Sequence, residues 1–326
     1  MQGKEASEQE TGAKCNVGID VGKDWLDIYL APVGDRMRVS NDGAGIRRIK
    51  RWLSRFDVAL VAIEATGKWH RQLHRSLAAS AIPVAIVDPF RVRMFAKAQG
   101  ILAKTDRLDA RVLAAFAAVM MPAMRAPAPQ VLAELAELVT ARDSAVDAQT
   151  ALKNQFGAAH SQFLKRQLQQ RIGRTAKDIA ALEAEILRRI MADDWLARRY
   201  AILTSIPSFG LVTAATLIAC LAEIGTMTVK QVAMLGGLAP IADQSGNREG
   251  VRVVWGGRSA VRRALYRAAL SAARFNANMK AFYDRLRANG KASKAALIAV
   301  ARKLAILANT LVSQNRLWEP RPVKSA

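Results

Sequence analysis

The first third of the chain alternates short apolar runs with helical patterns. Runs of strand length occupy residues 16–20, 25–30 and 83–88, and the run at 59–64 is continuously apolar, which is typical of a strand covered on both faces. A further short strand is expected at 36–40. We expect the first two strands to pair antiparallel across the tight turn between them.

Helical spacing of apolar residues fills the gaps between these runs. Asn41 or Asp42 can cap a first helix, and further helices are expected at about 69–79 and 106–119. The basic segment 91–97 is interpreted as a connection. The resulting order, ββ(β)αβαβα, predicts an α/β domain with a mixed sheet.

The middle of the chain has a different pattern. From about residue 130 to 195, leucine and other apolar residues recur at three- and four-residue spacing, without proline. We expect two long helices, broken near Gly157 or Gly173. They form an antiparallel hairpin or a coiled coil with a second protomer. A simple bundle packed on the first domain is the alternative.

The last part of the chain is predicted to be mainly helical. Apolar helices at 200–205 and 211–221 flank the turn at 206–210, which resembles a helix-hairpin-helix. Backbone N–H groups of such a turn can meet a DNA phosphate, although any corner between two helices can use Pro and Gly. A short helix is expected near 230–235, and the polar segment 241–248 is interpreted as a turn.

Charge and composition narrow the class of protein. The 326 residues include 49 Lys+Arg and 27 Asp+Glu, a formal charge of +22, and the stretch from Gly246 to Ala326 holds 17 of the basic residues and 3 of the acidic ones. Such an excess favours a polyanionic partner, nucleic acid first and an anionic membrane second. The apolar stretch 211–222 is too short to span a bilayer, so no membrane is expected. Two cysteines and three histidines allow no zinc spacing and fit a reducing cytoplasm.

Four carboxylates are candidates for a metal site. Asp20 and Glu64 follow buried strands, and Asp106 and Asp109 share one face of a helix because they are three residues apart. Such a set can hold two Mg²⁺ ions roughly 4 Å apart, as in enzymes of phosphoryl transfer. The alternative for the helical pair is a solvated helix start with acids at its positive end. Asp27 is interpreted as solvated surface.

Ser245 is the candidate nucleophile. It precedes a glycine in a polar segment and is followed by arginines, which can stabilise the charge of a phosphoryl transition state. A serine hydroxyl is a weak nucleophile and needs a base or a metal, which the first domain would have to supply. The alternative is an ordinary turn, since Ser-Gly pairs are common there.

Seven short motifs follow one another along the chain in a familiar order. They are Gly18-Ile19-Asp20-Val21-Gly22-Lys23, Glu64-Ala65-Thr66-Gly67, Lys104-Thr105-Asp106-Arg107-Leu108-Asp109-Ala110-Arg111, Ile206-Pro207-x-x-Gly210, Gly237-Leu238-Ala239-Pro240, Ser245-Gly246 and Arg263-Ala264-Leu265-Tyr266. Together they resemble the DEDD transposases of bacterial insertion sequences, relatives of the Piv/MooV DNA invertases and of bridge-RNA-guided recombinases. The resemblance covers nearly the whole chain after residue 15.

The resemblance implies an α/β RNase H-like (RuvC-like) domain, a helical coiled-coil segment and a mainly α C-terminal transposase domain. The expected bounds are 1–14 for a disordered tail, 15–128 for the RuvC-like domain, 129–197 for the dimerisation helices and 198–326 for the transposase domain. Mg²⁺ would bind Asp20, Glu64, Asp106 and Asp109, and Ser245 would form a covalent 5′-phosphoserine intermediate. The implied partners are donor and target DNA, a noncoding guide RNA and further copies of the chain, as a dimer or tetramer.

Basic residues near these motifs are the expected contacts to nucleic acid. They are Lys104, Arg107, Arg111, Arg248, Arg252, Arg258, Arg262 and Arg263. Family members often carry a basic residue, any residue and then glycine after the serine motif, whereas this chain has Trp255-Gly256-Gly257-Arg258, so the roles of Trp255 and Arg258 stay open. The expected location is the bacterial cytoplasm, with association to the nucleoid during activity.

Three other functions compete with this interpretation. A junction resolvase would use the same four carboxylates with water as the nucleophile and would not need Ser245. Asp20-x-Gly22 also resembles the first phosphate motif of actin-like sugar kinases, but no second phosphate loop or adenosine motif follows. A noncatalytic DNA-binding protein would explain the charge but not the four acids.

Overall fold

The computed structural model describes residues 14–65, 67–101, 106–241, 244–245, 248–249 and 253–320. For 106–108, 244–245 and 248–249 the description is limited to the backbone. The chain divides into two compact units, one ending at Pro127 and the other beginning at Ala128. Each unit has its own hydrophobic core.

The first unit is a five-stranded mixed sheet with helices on both faces. Its elements are β1 (Cys15–Val21), β2 (Trp25–Ala31), β3 (Arg36–Ser40), α1 (Gly43–Leu53), β4 (Val58–Glu64), α2 (Arg71–Ala78), β5 (Val84–Val87), α3 (Pro89–Ala98) and α4 (Asp106–Met120). The strand order is β3-β2-β1-β4-β5, with β2 antiparallel to its two neighbours and β4 and β5 parallel to β1. This is the RNase H-like topology that the resemblance implied, and the expected fold class is confirmed.

Side chains alternate between the two faces of the sheet. Val17 and Ile19 of β1 and Ile63 of β4 are fully buried against α1 and α2. The intervening positions, such as Ala62, face the opposite side, where they pack with Leu113 of α4. Because successive residues of a strand point to opposite faces, the even-numbered positions of β1 and β4 lie on the α4 side.

Helix α4 touches strand β1 through backbone atoms. A Cβ at Gly18 would lie 2.0 Å from the Ala110 carbonyl oxygen and 2.4 Å from the Ala114 nitrogen. Only glycine permits this approach, because any side chain would overlap the helix backbone. The close contact fixes the position of α4 on the sheet.

One feature of the first unit differs from the sequence-based expectation. The basic segment 91–97 was interpreted as a connection, but it lies within helix α3. The carboxylate of Asp88 caps that helix by accepting a hydrogen bond from the Phe90 N–H at 2.8 Å. A proline in the first turn favours the helix as well, because its fixed φ suits that position. The basic residues concealed this start, since they break the apolar periodicity.

The end of the first unit is tied back to the sheet. The Arg125 N–H donates to the Val84 carbonyl at 3.0 Å, and His74 Nε2 lies 2.7 Å from the Arg125 carbonyl oxygen. Burial of His74 lowers the pKa of its imidazole, so the neutral ring donates from Nε2 to this oxygen. These two hydrogen bonds hold the segment that follows α4 against β5 and α2.

The second unit is mainly helical, as expected. Its elements are α5 (Gln130–Ala158), α6 (Gln162–Met191), α7 (Asp194–Thr204), α8 (Leu211–Cys220), α9 (Val229–Leu235), β6 (Pro240–Ile241), β7 (Gln244–Ser245), β8 (Arg248–Glu249), β9 (Val253–Val254), α10 (Ser259–Phe275), α11 (Ala277–Ala288) and α12 (Ser293–Ser313). The residues that the structure describes in and next to the predicted turn region 241–248 form two short antiparallel pairs, β6 with β9 and β7 with β8.

Helices α5 and α6 form an antiparallel hairpin within the chain, one of the two arrangements that the sequence left open. The break falls at the end of α5, next to Gly157, whereas Gly173 lies inside α6. Arg142 pairs with Glu183 at 2.8 Å, and Arg189 pairs with Glu134 nearer the base. The base of the hairpin shares the main core with α8, α10 and α12, and the tip has a small cluster of its own around Leu152 and Leu168.

Helix α12 is a core helix. Within the described part of the chain it alone is long and apolar enough to cross a membrane, by length and composition. Its residues Leu304, Ala305 and Ala308 are nevertheless buried in the main helical core. The apolar character of α12 is therefore explained by packing against α7, α9 and α10.

Gly18→Ala tests the contact between α4 and β1. We expect a loss of roughly 3 kcal/mol or more in the free energy of unfolding, because the added methyl group would overlap the α4 backbone. The measurement is urea unfolding followed by circular dichroism. Gly173→Ala is the matched control: it has open space around it in α6 and should gain about 0.5–1 kcal/mol. Equal effects in the two variants would contradict the role given to Gly18.

Candidate active site

Two predicted carboxylates lie at the carboxyl ends of neighbouring parallel strands, Glu64 as the last residue of β4 and Asp20 as the last but one of β1. Ile19 of β1 pairs with Ile63 of β4 in the parallel ladder. The next residue on each strand is a carboxylate, Asp20 on β1 and Glu64 on β4. The carboxyl ends of parallel strands are where sites assemble in open α/β sheets.

Both carboxylates lie on the side of the sheet that α4 covers. Asp20 is two residues beyond Gly18, which faces α4 directly. Glu64 is two residues beyond Ala62, which packs in the same core as α4. Since residues two apart on a strand share a face, the two side chains point towards the same helix. Each is partly exposed.

The helical pair lies in the first turn of α4. Asp109 is partly exposed, and the next residue, Ala110, is the one whose carbonyl meets Gly18. The first turn of α4 therefore lies beside the strand that carries Asp20. Asp106 begins the helix, and the structure describes its backbone alone.

The donor chemistry of this edge fits a hard divalent cation, because Mg²⁺ prefers carboxylate oxygens. Among the side chains that the structure describes, no three His, Cys, Asp or Glu residues are close enough to hold a metal ion. The Asp106 side chain is outside that set. Of the four predicted ligands, the side chains that the structure describes are thus Asp20, Glu64 and Asp109, and these three form no closed ligand cluster.

Comparison with known proteins agrees with the motif order. A family model described as a DEDD transposase of the IS110 type matches residues 17–164, and a model of the IS116/IS110/IS902 transposase family matches residues 200–284. The chain belongs to the IS110 family of transposases. It is therefore an enzyme of DNA recombination.

Two of the proteins similar to this transposase match nearly its whole length. The pilin gene-inverting proteins of Moraxella bovis and Moraxella lacunata are each 27% identical over 320 residues, 95% of this chain and 99% of theirs. An insertion element IS110 protein of 43.6 kDa from Streptomyces coelicolor is 31% identical over 123 residues, 37% of this chain and 30% of its own. The structure of T. thermophilus RuvC in complex with a Holliday junction substrate matches with a TM-score of 0.27 and 18% identity, covering 34% of this chain and 99% of RuvC.

Ser245 lies in the second unit of the transposase, in strand β7. Its backbone pairs with that of Arg248 on β8, and this short antiparallel pair sits in sequence between β6 and β9. The side chains of Ser245 and Arg248 are outside the described set, as is that of Arg107 in α4. Lys104 and Arg252 lie outside the described residues. Arg111 is exposed on α4.

Arg258 has protein partners. Its guanidinium makes a bidentate ion pair with Glu223, with both N···O distances 2.6 Å, and also donates to the Cys220 carbonyl at 2.9 Å. The Arg258 side chain is 29% exposed. This pair ties the start of α10 to the segment after α8, which gives a structural reason for arginine at this position. Its predicted contact with nucleic acid stays a prediction.

Arg262 and Arg263 also have neighbours within the second unit. Arg262 donates to the Gly256 carbonyl at 2.9 Å, and Arg263 lies 3.3 Å from the carboxylate of Asp143 on α5. Asp143 is buried, and Arg267 lies 3.9 Å from its other oxygen. The buried carboxylate of Asp143 thus lies against two arginines of α10, Arg263 and Arg267, which are four residues apart on the helix. Sequence spacing could not reveal this, because Asp143 and Arg263 are 120 positions apart.

Asp27 was interpreted as solvated surface, and this interpretation is wrong. Its side chain is 13% exposed and accepts two hydrogen bonds from Arg38, at 2.8 and 2.7 Å. Asp27 is also the antiparallel partner of Asp20. Its partner comes from the third strand, so alternation along β2 alone could not identify it.

Glu223→Gln tests the structural role of Arg258. The substitution keeps the shape of the side chain and removes its charge, so we expect the free energy of unfolding to fall by about 1–2 kcal/mol. Affinity for DNA should stay the same or rise, because the guanidinium is released. Thermal unfolding and fluorescence anisotropy measure the two effects. Glu319→Gln, an exposed control, should change stability by less than about 0.5 kcal/mol. Wild-type stability in Glu223→Gln would contradict the role.

Proposed function

We propose that this IS110 transposase cuts and rejoins DNA strands with Ser245 as the nucleophile, at a site served by Asp20, Glu64, Asp106 and Asp109. The observation that carries the proposal is the shared orientation of Asp20 and Glu64 towards α4, at the ends of adjacent parallel strands. Family membership and the pilin gene-inverting relatives support cutting coupled to rejoining, because gene inversion requires both.

The four carboxylates would hold Mg²⁺. When bound, the cation supplies electrophilic stabilisation of the phosphate that is attacked. The role of the chain is to bring the acids together. Asp20 and Glu64 are set by strand pairing, and Asp109 is set by the contact of its helix with Gly18.

The serine step conserves the number of phosphoester bonds. Ser245 Oγ forms a bond to phosphorus while the bond from phosphorus to the 3′ oxygen breaks. The serine proton passes to a base, and the departing 3′ oxygen takes up a proton. The product is a 5′-phosphoserine and a free 3′ hydroxyl, and attack by another 3′ hydroxyl reverses the step and rejoins the strand. Storing the phosphoester in this way explains why rejoining needs no external energy source.

The partners in this proposal are donor DNA, target DNA and a noncoding guide RNA, with the protein acting as a dimer or tetramer in the bacterial cytoplasm. Support comes from the +22 charge and from arginines held in a row on α10. Neutralising several phosphates gives an affinity that falls steeply with salt. Light scattering of the protein with its copurified nucleic acid measures the stoichiometry.

Ser245→Ala should abolish strand cleavage and the covalent adduct, because no oxygen remains to attack phosphorus. The assay is denaturing gel electrophoresis of radiolabelled DNA that carries the ends of the element. Ser313→Ala, an exposed serine at the end of α12, is the control and should retain both. Nicking by Ser245→Ala with unchanged dependence on Mg²⁺ would favour a junction resolvase that uses water, and would refute the serine mechanism.

Asp106→Asn should abolish recombination by removing one anionic ligand while leaving RNA binding within about twofold of wild type. RNA binding is checked by recovering and sequencing the nucleic acid that copurifies with the wild-type protein and with Asp106→Asn. A discrete RNA is expected with both proteins. Asp178→Asn, on the exposed face of α6, should recombine normally. Loss of folding in Asp106→Asn, seen by circular dichroism, would indicate a structural role for this carboxylate instead.

A further inference from the structure

A cavity of about 320 Å³ lies beside the carboxylate edge, on the β2–β3 side of the first unit. Of the predicted metal ligands whose side chains the structure describes, Asp20, Glu64 and Asp109, none lines it. Its walls are formed by Asp27, Ile28, Tyr29, Arg36, Met37, Arg38 and Ala110. Ala110 follows Asp109 directly, so the cavity adjoins the first turn of α4.

Arg38 is held in place at one wall of this cavity. Its Nε and Nη2 donate to the two carboxylate oxygens of Asp27, a fork that fixes the plane of the guanidinium. The Asp27 side chain is 13% exposed, whereas that of Arg38 is 49% exposed. The ion pair is therefore anchored at its carboxylate and presents its cation towards solvent.

A second cation and an aromatic ring form the neighbouring wall. The guanidinium carbon of Arg36 lies 5.5 Å from the centre of the Tyr29 ring, within the range of a cation–π contact. Arg36 and Tyr29 are cross-strand partners, as are Arg38 and Asp27. The cavity thus offers two arginines and one aromatic ring at fixed spacing on adjacent strands.

Strand pairing connects this cavity to the carboxylates. Arg38, Asp27 and Asp20 are opposite one another on β3, β2 and β1, and Glu64 continues the row on β4. All four lie on the α4 side, because paired residues share a face. Charge along the row changes from a cation at the edge strand to acids at the centre of the sheet. A DNA strand that lies along this row would therefore meet Arg38 on one side of the carboxylates.

We propose that this cavity, defined by Tyr29, Arg36 and Arg38, binds one nucleotide of the DNA strand, next to the phosphate that is attacked. The arginines contact its phosphate, and the Tyr29 ring packs against its base or sugar. The volume is at the lower end for ligand pockets and suits one nucleotide, not a duplex. Strand β3 is the edge of the sheet, so the rest of a DNA strand can continue past it. The inference rests on the proposed function, since it gives the carboxylate edge a DNA substrate.

Fluorescence of 2-aminopurine tests the proposal with the full-length protein. The probes are a DNA 20-mer and an RNA 20-mer of the same sequence, each carrying a single 2-aminopurine that is moved along the strand. Stacking on tyrosine quenches this base. We expect quenching when the probe is at one or two positions of the DNA. This quenching should be retained in Tyr29→Phe and lost in Tyr29→Ala. The affinity of Tyr29→Ala for the DNA should fall about fivefold or more.

Arginine variants test the phosphate contact. Arg36→Ala should weaken DNA binding about threefold to tenfold. It should also reduce the slope of log affinity against log salt concentration by the equivalent of about one phosphate contact. Arg48→Ala is the matched control, because Arg48 is exposed on α1, on the opposite face of the sheet. It should change the affinity less than about twofold. Equal losses in the two variants, or quenching by RNA and not by DNA, would overturn the proposal.

Asp20→Asn separates this inference from the proposed function. It should abolish cleavage while preserving the Tyr29-dependent quenching. If wild-type protein shows the quenching and never cleaves, the cavity is supported and the proposed chemistry fails. If it cleaves DNA and no position depends on Tyr29, the nucleotide site is refuted and the chemistry stands. Thermal unfolding of each variant confirms that the protein is folded, and Tyr29→Phe provides a conservative variant that keeps the ring.

Discussion

The backbone contact between α4 and strand β1 is the constraint on which the first unit depends. Gly18 lets the helix lie directly on the strand, at a distance that no side chain would allow. The same contact sets Ala110 against the sheet, and with it the helical turn that carries Asp109. A position without a side chain therefore controls where the Asp109 side chain stands. Strand pairing does the equivalent for Asp20 and Glu64, which are related by the ladder between β1 and β4.

The sequence predicted those parts of the fold that depend on local pattern. The first two strands, the third at Arg36–Ser40 and the buried strand ending at Glu64 were all identified, because each is a short apolar or alternating run between turn residues. The short apolar run also predicted that Asp20 lies at the end of a strand, and β1 extends one residue further, to Val21. The order of motifs predicted the family, since seven motifs in sequence are far more specific than one.

The features that the sequence missed depend on residues far apart in the chain. Asp27 was assigned to the surface because its partner, Arg38, lies on another strand. The arginines in and just before α10 were predicted from charge alone. In the structure Asp143 engages Arg263 and Arg267, and Glu223 engages Arg258, all within the second unit. Positive charge in this part of the chain thus has one role that the structure shows, pairing with buried or half-buried acids, and one that we propose, contact with phosphate. Composition cannot separate the two roles, because it counts both in the same way.

The helical hairpin α5–α6 has two mechanically distinct parts. Its base is built into the main core, and its tip is held by a small cluster around Leu152 and Leu168. An antiparallel pair can be shortened or lengthened by equal whole turns in both arms without changing which faces meet. Since the tip shares none of the main core's residues, such a change in length leaves the rest of the unit intact. The length of the hairpin can therefore change in evolution without repacking the main core of the unit.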